Sequence, residues 1–195
     1  NEKRGASLSL EIKEIKPDGD GTWSVKAVAI VTDKQIPMPE TKVEFRHHGK
    51  VAKEVEADGE GQALYTFTRI PWGKHAFEAL IPGGIRKSVE KTIELKIDFE
   101  LAEPNTEEGA DTWSAIATVQ VKDNGSFPVP NLEVLFLMDN AEKHKGSTDE
   151  SGAIRHKFTG LTKGNRTFES VVKGGPRKIV QKELKSDKPA KKPTK

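Results

Sequence analysis

The 195 residues carry 34% hydrophobic and 32% charged side chains and no cysteine, a balance that suits thin β-domains with solvated outer faces and excludes disulfides and thiolate metal sites. The formal net charge of +2 hides an asymmetry: residues 185–195 hold five lysines and one aspartate, a charge of +4, so the body of the chain carries −2. Such a body has no basic surface to grip nucleic acid, and no apolar run reaches the roughly eighteen residues of a membrane helix.

The chain opens Asn1-Glu2-Lys3-Arg4 without an apolar leader, and asparagine as first residue points to a processed or trimmed N-terminus. Residues 17–21, Pro17-Asp18-Gly19-Asp20-Gly21, are the best metal lookalike, because Asp-x-Asp-Gly can place two carboxylates on a hard cation. The further oxygen ligands of a calcium loop are missing and the matching stretch is Glu108-Gly109-Ala110-Asp111, so a simple turn is expected. Next come period-two runs. Trp23, Val25, Ala27, Ala29 and Val31 point to one face, and Val43 with Phe45, Tyr65 with Phe67, and Phe77 with Ala79 follow the same rule. His47 and His48 are expected to leave their strand on opposite faces, which argues against a shared metal. Trp72 sits between Pro71 and Gly73 in a turn, and Gly83-Gly84 precedes the basic pair Arg86-Lys87. Turn chemistry separates the runs, about seven per half, and no amphipathic helix is predicted.

Residues 23–95 recur at 113–184, an offset of about ninety positions. Trp23 returns as Trp113, Pro37 and Pro39 as Pro128 and Pro130, Val43 and Phe45 as Val134 and Phe136, Asp58 and Gly61 as Asp149 and Gly152, Phe67 as Phe158, Phe77 as Phe168, and the glycine pair as Gly174-Gly175 before Arg177-Lys178. What recurs is core and turn. The expected fold is all-β: two tandem immunoglobulin-like β-sandwiches, residues 1–95 and 96–184, followed by a disordered Lys/Pro-rich tail, residues 185–195. Ile93, Leu95, Ile97, Phe99 and Leu101 alternate without interruption, which predicts that the last strand of the first domain runs straight into the first strand of the second. A stiff, elongated pair with a fixed interdomain angle follows from that expectation.

The series Trp-x-Val-x-Ala, Pro-x-Pro-x-x-x-Val-x-Phe, Asp-x-x-Gly and Gly-x-x-x-Phe resembles the bacterial Ig-like repeats of invasin and intimin type. It is carried by Trp23, Pro37, Pro39, Val43, Phe45, Asp58, Gly61, Phe77 and Ala79, and again by Trp113, Pro128, Pro130, Val134, Phe136, Asp149, Gly152, Phe168 and Ser170. The resemblance implies a noncatalytic stalk, spacer or adhesive module. The receptor-binding tip domain of the invasin group has no counterpart here, so receptor binding is not implied.

No nucleophile elbow, phosphate loop or zinc-protease motif occurs, and no cofactor, metal or enzymatic activity is expected. Leu135 and Leu137 replace Glu44 and Arg46 of the first copy, so that strand is apolar on both sides and is a candidate surface for a protein partner or self-association. The expected function is a rigid spacer or assembly subunit at a bacterial cell surface or in the periplasm. The alternatives are a glycan- or protein-binding module acting through loop residue Trp72 and a component of a phage-like particle.

Overall fold

A computed structural model describes residues 5–106 and 112–185. The stretch Glu108-Gly109-Ala110-Asp111 and the tail beyond Lys185 lie outside the described residues. The described chain is built of strands and turns, with no helix. It divides into two compact units: Asn1–Glu94 with Asp123–Phe127, and Leu95–Lys122 with Pro128–Lys195.

In unit 1, β1 (Ala6–Pro17), β2 (Trp23–Asp33) and β6 (Gln62–Ile70) form one sheet, with the two-residue β3 (Ile36–Pro37) beside β2. The facing sheet has the order β5 (Lys50–Glu56), β4 (Lys42–His47), β7 (Gly73–Leu80), β8 (Arg86–Ile93). Unit 2 repeats the plan: β9 (Leu95–Leu101), β10 (Asn105–Thr106), β11 (Trp113–Asp123) and β14 (Ala153–Leu161) in one sheet, and the order β13 (Ala141–Ser147), β12 (Glu133–Met138), β15 (Gly164–Val172), β16 (Arg177–Leu184) in the other. Seven strands of at least six residues plus one short strand per unit match the expected immunoglobulin-like sandwich.

Alternation places the core as predicted. Trp23, Val25, Ala27, Ala29, Val31, Val43, Phe45 and Phe77 are wholly buried, as are Ala117, Val119, Val121, Val134, Phe136 and Phe168. Aromatic geometry recurs with them: Phe45 meets Phe67 edge-on at 6.3 Å and Phe136 meets Phe158 edge-on at 6.3 Å, contacts that add about 0.5–1.5 kcal/mol beyond area burial. The repeated Asp-x-x-Gly is a turn that caps itself. Asp58 Oδ1 accepts from the amides of Glu60 and Gln62, both at 2.9 Å, and Asp149 Oδ1 from those of Ser151 at 2.9 Å and Ala153 at 3.0 Å. Gly61 and Gly152 close these turns at φ 73° and 74°, against the carbonyls of Val31 and Val121.

Two expectations change. The strand foreseen across residues 93–101 is interrupted at Glu94, because β8 hydrogen-bonds to β7 in one sheet while β9 pairs with β11 in another. A single residue makes the switch. Trp113, which aligns with the fully buried Trp23, is only half-buried and lines a groove with Pro104 and Leu184.

Candidate functional site

A cluster of three histidines forms in unit 1 where the β4–β5 hairpin meets the start of β7. His47 pairs with Lys50, leaving a two-residue loop of His48 and Gly49 at φ 49° and 77°. Two successive left-handed residues make a primed hairpin turn, and histidine tolerates that conformation better than most residues. The turn corrects the expectation for the pair. Strand alternation ends at His47, and the left-handed backbone swings His48 back towards the same side. His75, on β7 and only 5% exposed, meets both rings. Its Nδ1 lies 2.9 Å from His47 Nε2 and 3.2 Å from His48 Nε2.

His75 Nε2 lies 2.7 Å from the carbonyl oxygen of Pro71. A carbonyl only accepts, so Nε2 carries the proton and Nδ1 presents a lone pair to the other two rings. His47 is held by stacking on Phe77, at 5.2 Å and 17°. Burial first, and the neighbouring imidazoles second, hold the pKa of His47 below the ordinary histidine range; burial does the same at His75, partly offset by the Pro71 carbonyl. Both rings are therefore neutral at pH 7.

Unit 2 solves the same corner with opposite charges. The matching hairpin loop is Asp139-Asn140, at φ 50° and 67°, and Asp139 stands at the position of His48 and Arg166 at that of His75. Arg166 donates to Asp139 Oδ2 at 2.8 Å and to the Thr162 carbonyl at 3.3 Å, and Thr162 matches Pro71. The backbone amide of Thr167 also donates to Asp139 Oδ1 at 3.0 Å, which with Arg166 holds the Asp139 carboxyl below the usual carboxylate range. The signal that would have found this corner was the paired exchange of His48 with Asp139 and His75 with Arg166 between the copies.

The other predicted site residues fall elsewhere. Trp72 is half-buried in the β6–β7 turn of unit 1, next to Pro71. Leu135 and Leu137 are half-buried on the outer side of the four-stranded sheet of unit 2, opposite Val171 and Glu169 on β15. Ile179, 48% exposed on β16, lies on the same face but is separated from Leu137 by Glu169. In unit 1 the positions matching the two leucines are polar: Glu44 and Arg46 pair with each other there. The arginines of the basic pairs after the glycine turns are engaged in ion pairs. Arg86 is paired with buried Glu78, and Arg177 with buried Glu169 at 3.0 Å. The two carboxylates of residues 17–21 serve their own turn: Asp18 accepts from Ser24 Oγ at 2.7 Å, and Asp20 from the amide of Thr22 at 3.0 Å.

No family model matches the chain, and no curated protein matches it. Among solved structures the chain is similar to the D0-D1 domain of intimin, at 18% identity over 88% of this chain and 96% of that one, with a TM-score of 0.38. It is also similar to the Yersinia pseudotuberculosis adhesin InvE, at 14% identity over 95% of this chain and 62% of that one, with a TM-score of 0.42. A glycosyl hydrolase family 2 member from Bacteroides cellulosilyticus aligns at 12% identity over 92% of this chain and 29% of that one, with a TM-score of 0.34. Similarities this distant carry no functional weight, and the fold assignment rests on the strand pairing described above.

Proposed function

We propose that this chain is a noncatalytic structural protein: tandem immunoglobulin-like domains acting as a rigid spacer or assembly subunit at a bacterial cell surface or in the periplasm. The observation that carries the reading is the connector. Only Glu94 separates β8 from β9, and Asn124, a residue of the second repeat's sequence that belongs to compact unit 1, holds that point. Its Nδ2 donates to the Thr92 carbonyl at 3.0 Å and its Oδ1 accepts from the Glu94 amide at 3.4 Å. A one-residue connection clamped on its preceding strand leaves few free dihedrals, whereas a flexible tether needs a run of free residues. Docking of a protein partner or a second copy falls to the outer face that carries Leu135 and Leu137. Small-angle scattering of the purified chain tests the reading: one narrow conformer population supports a spacer, and a broad range of interdomain distances removes it.

A second reading has its own support in Trp72, a half-exposed ring in a turn with no tryptophan at the matching position of the other copy. Rings of this kind are effective contact groups for glycans and proteins. Array binding that disappears in Trp72→Ala favours this reading; binding unchanged by the substitution discards it.

A further inference from the structure

We propose that His47, His48 and His75 form a three-imidazole site for a borderline transition-metal ion of the Zn2+ class. Three ligand atoms, one from each ring, lie within 4.8 Å of one another. A tetrahedral ion with metal–nitrogen bonds of about 2.0–2.1 Å holds its ligand nitrogens about 3.3–3.4 Å apart. The His75–His47 and His75–His48 separations of 2.9 and 3.2 Å therefore need only slight opening. The remaining pair, His47 with His48, lies within 4.8 Å and closes by rotation of the exposed His48 side chain.

The proton arrangement favours a cation. With the His75 Nε2 proton engaged by Pro71, the Nδ1 lone pair faces inward, which is how a backbone carbonyl orients a metal-binding histidine. That one lone pair faces two Nε2 atoms and can accept well from only one of them. A metal ion takes a lone pair from each ring, so competing donors become joint ligands.

The second copy sharpens the contrast. There the corner is closed by a carboxylate against a guanidinium, Asp139 with Arg166. The first copy has no opposite charges at these positions and gathers three nitrogen donors instead. A ligand set made only of imidazoles suits Zn2+, Cu2+ or Ni2+ and not Ca2+ or Mg2+. The exposed side of His48 leaves a fourth position open to water.

The test is Zn2+ titration of the untagged chain by calorimetry, with ring-nitrogen NMR of the histidines. One ion should bind per chain, with the His47 and His48 Nε2 and His75 Nδ1 resonances shifting together. His48→Ala removes one proposed ligand at an exposed position. It should weaken binding at least as much as the roughly 10–100-fold typical of losing a group that merely orients a ligand. The double variant His48→Asp, His75→Arg installs the pair used by unit 2, so it should fold and lose the site. Absence of saturable binding in the parent chain overturns the proposal. So does binding retained by the double variant, or shifts confined to His144 and His156.

Discussion

Asp123 Oδ2 accepts a hydrogen bond of 2.9 Å from the indole Nε1 of Trp23, one hundred residues away, and both side chains are buried within unit 1. Asp123 also organises its own loop, accepting from the Phe127 amide at 3.0 Å. Asp123→Ala leaves the buried indole N–H without its acceptor and should destabilise unit 1 by about 1–3 kcal/mol. Asp123→Asn keeps an acceptor oxygen and should cost less. Denaturant unfolding followed by tryptophan fluorescence checks the ranking.

The duplicated Asp-x-x-Gly turn makes a paired stability prediction. A Cβ on Gly61 or Gly152 would stand 2.5 Å from the carbonyl oxygen of Val31 or Val121, and both glycines are left-handed. Gly61→Ala and Gly152→Ala should each cost more than the roughly 1–2 kcal/mol of left-handed backbone alone. Gly83→Ala, left-handed at φ 70° but in open space, should cost no more than that. Chemical denaturation of the three variants tests the order; equal losses would refute the close approach.

Acid should loosen unit 2 through His156, whose pKa burial, and then His144, hold below the ordinary value. The unfolded chain takes up this proton near pH 6.5, the folded chain only at lower pH. As pH falls below about 6.5 the folded state binds fewer protons and loses stability, and above it the loss is absent. His156→Tyr installs the residue found at the matching position, Tyr65, and should flatten the decline in the unit 2 urea midpoint between about pH 7 and 5.

The strip of Leu135 and Leu137 makes a prediction about association. Leu135→Glu with Leu137→Arg copies the pair that unit 1 carries as Glu44 and Arg46, on an outer face where surface changes usually alter stability by less than about 0.5 kcal/mol. The double variant should fold as the parent does and sediment as a monomer at concentrations where the parent associates. Loss of folding would assign both leucines to the core.

The sandwich, its inward residues and its turns were legible in the sequence because the repeat prints each constraint twice. Positions dictated by packing or by left-handed backbone, such as Phe45 with Phe136 and Gly61 with Gly152, keep their identity in both copies. The histidine corner was hidden by the same alternation rule that revealed the core. His48 departs from the strand at a left-handed turn, and period-two reasoning cannot follow a side chain around it. The break at Glu94 was hidden for a related reason: alternation through 93–101 is satisfied equally by one strand and by two strands in different sheets. Glu78 and Glu169 were overlooked because a buried carboxylate is recognisable only when its arginine, eight residues on in sequence, is seen across the hairpin.

Distance measurement between the two units tests the spacer most directly. The chain has no cysteine, so Lys50→Cys and Lys157→Cys, both at exposed positions, give a single pair of spin labels for pulsed electron resonance. A connector of one clamped residue predicts one narrow distance distribution, broadened when Asn124→Ala removes the clamp at Thr92 and Glu94. A broad distribution in the parent chain, unchanged by Asn124→Ala, would contradict the rigid-spacer account.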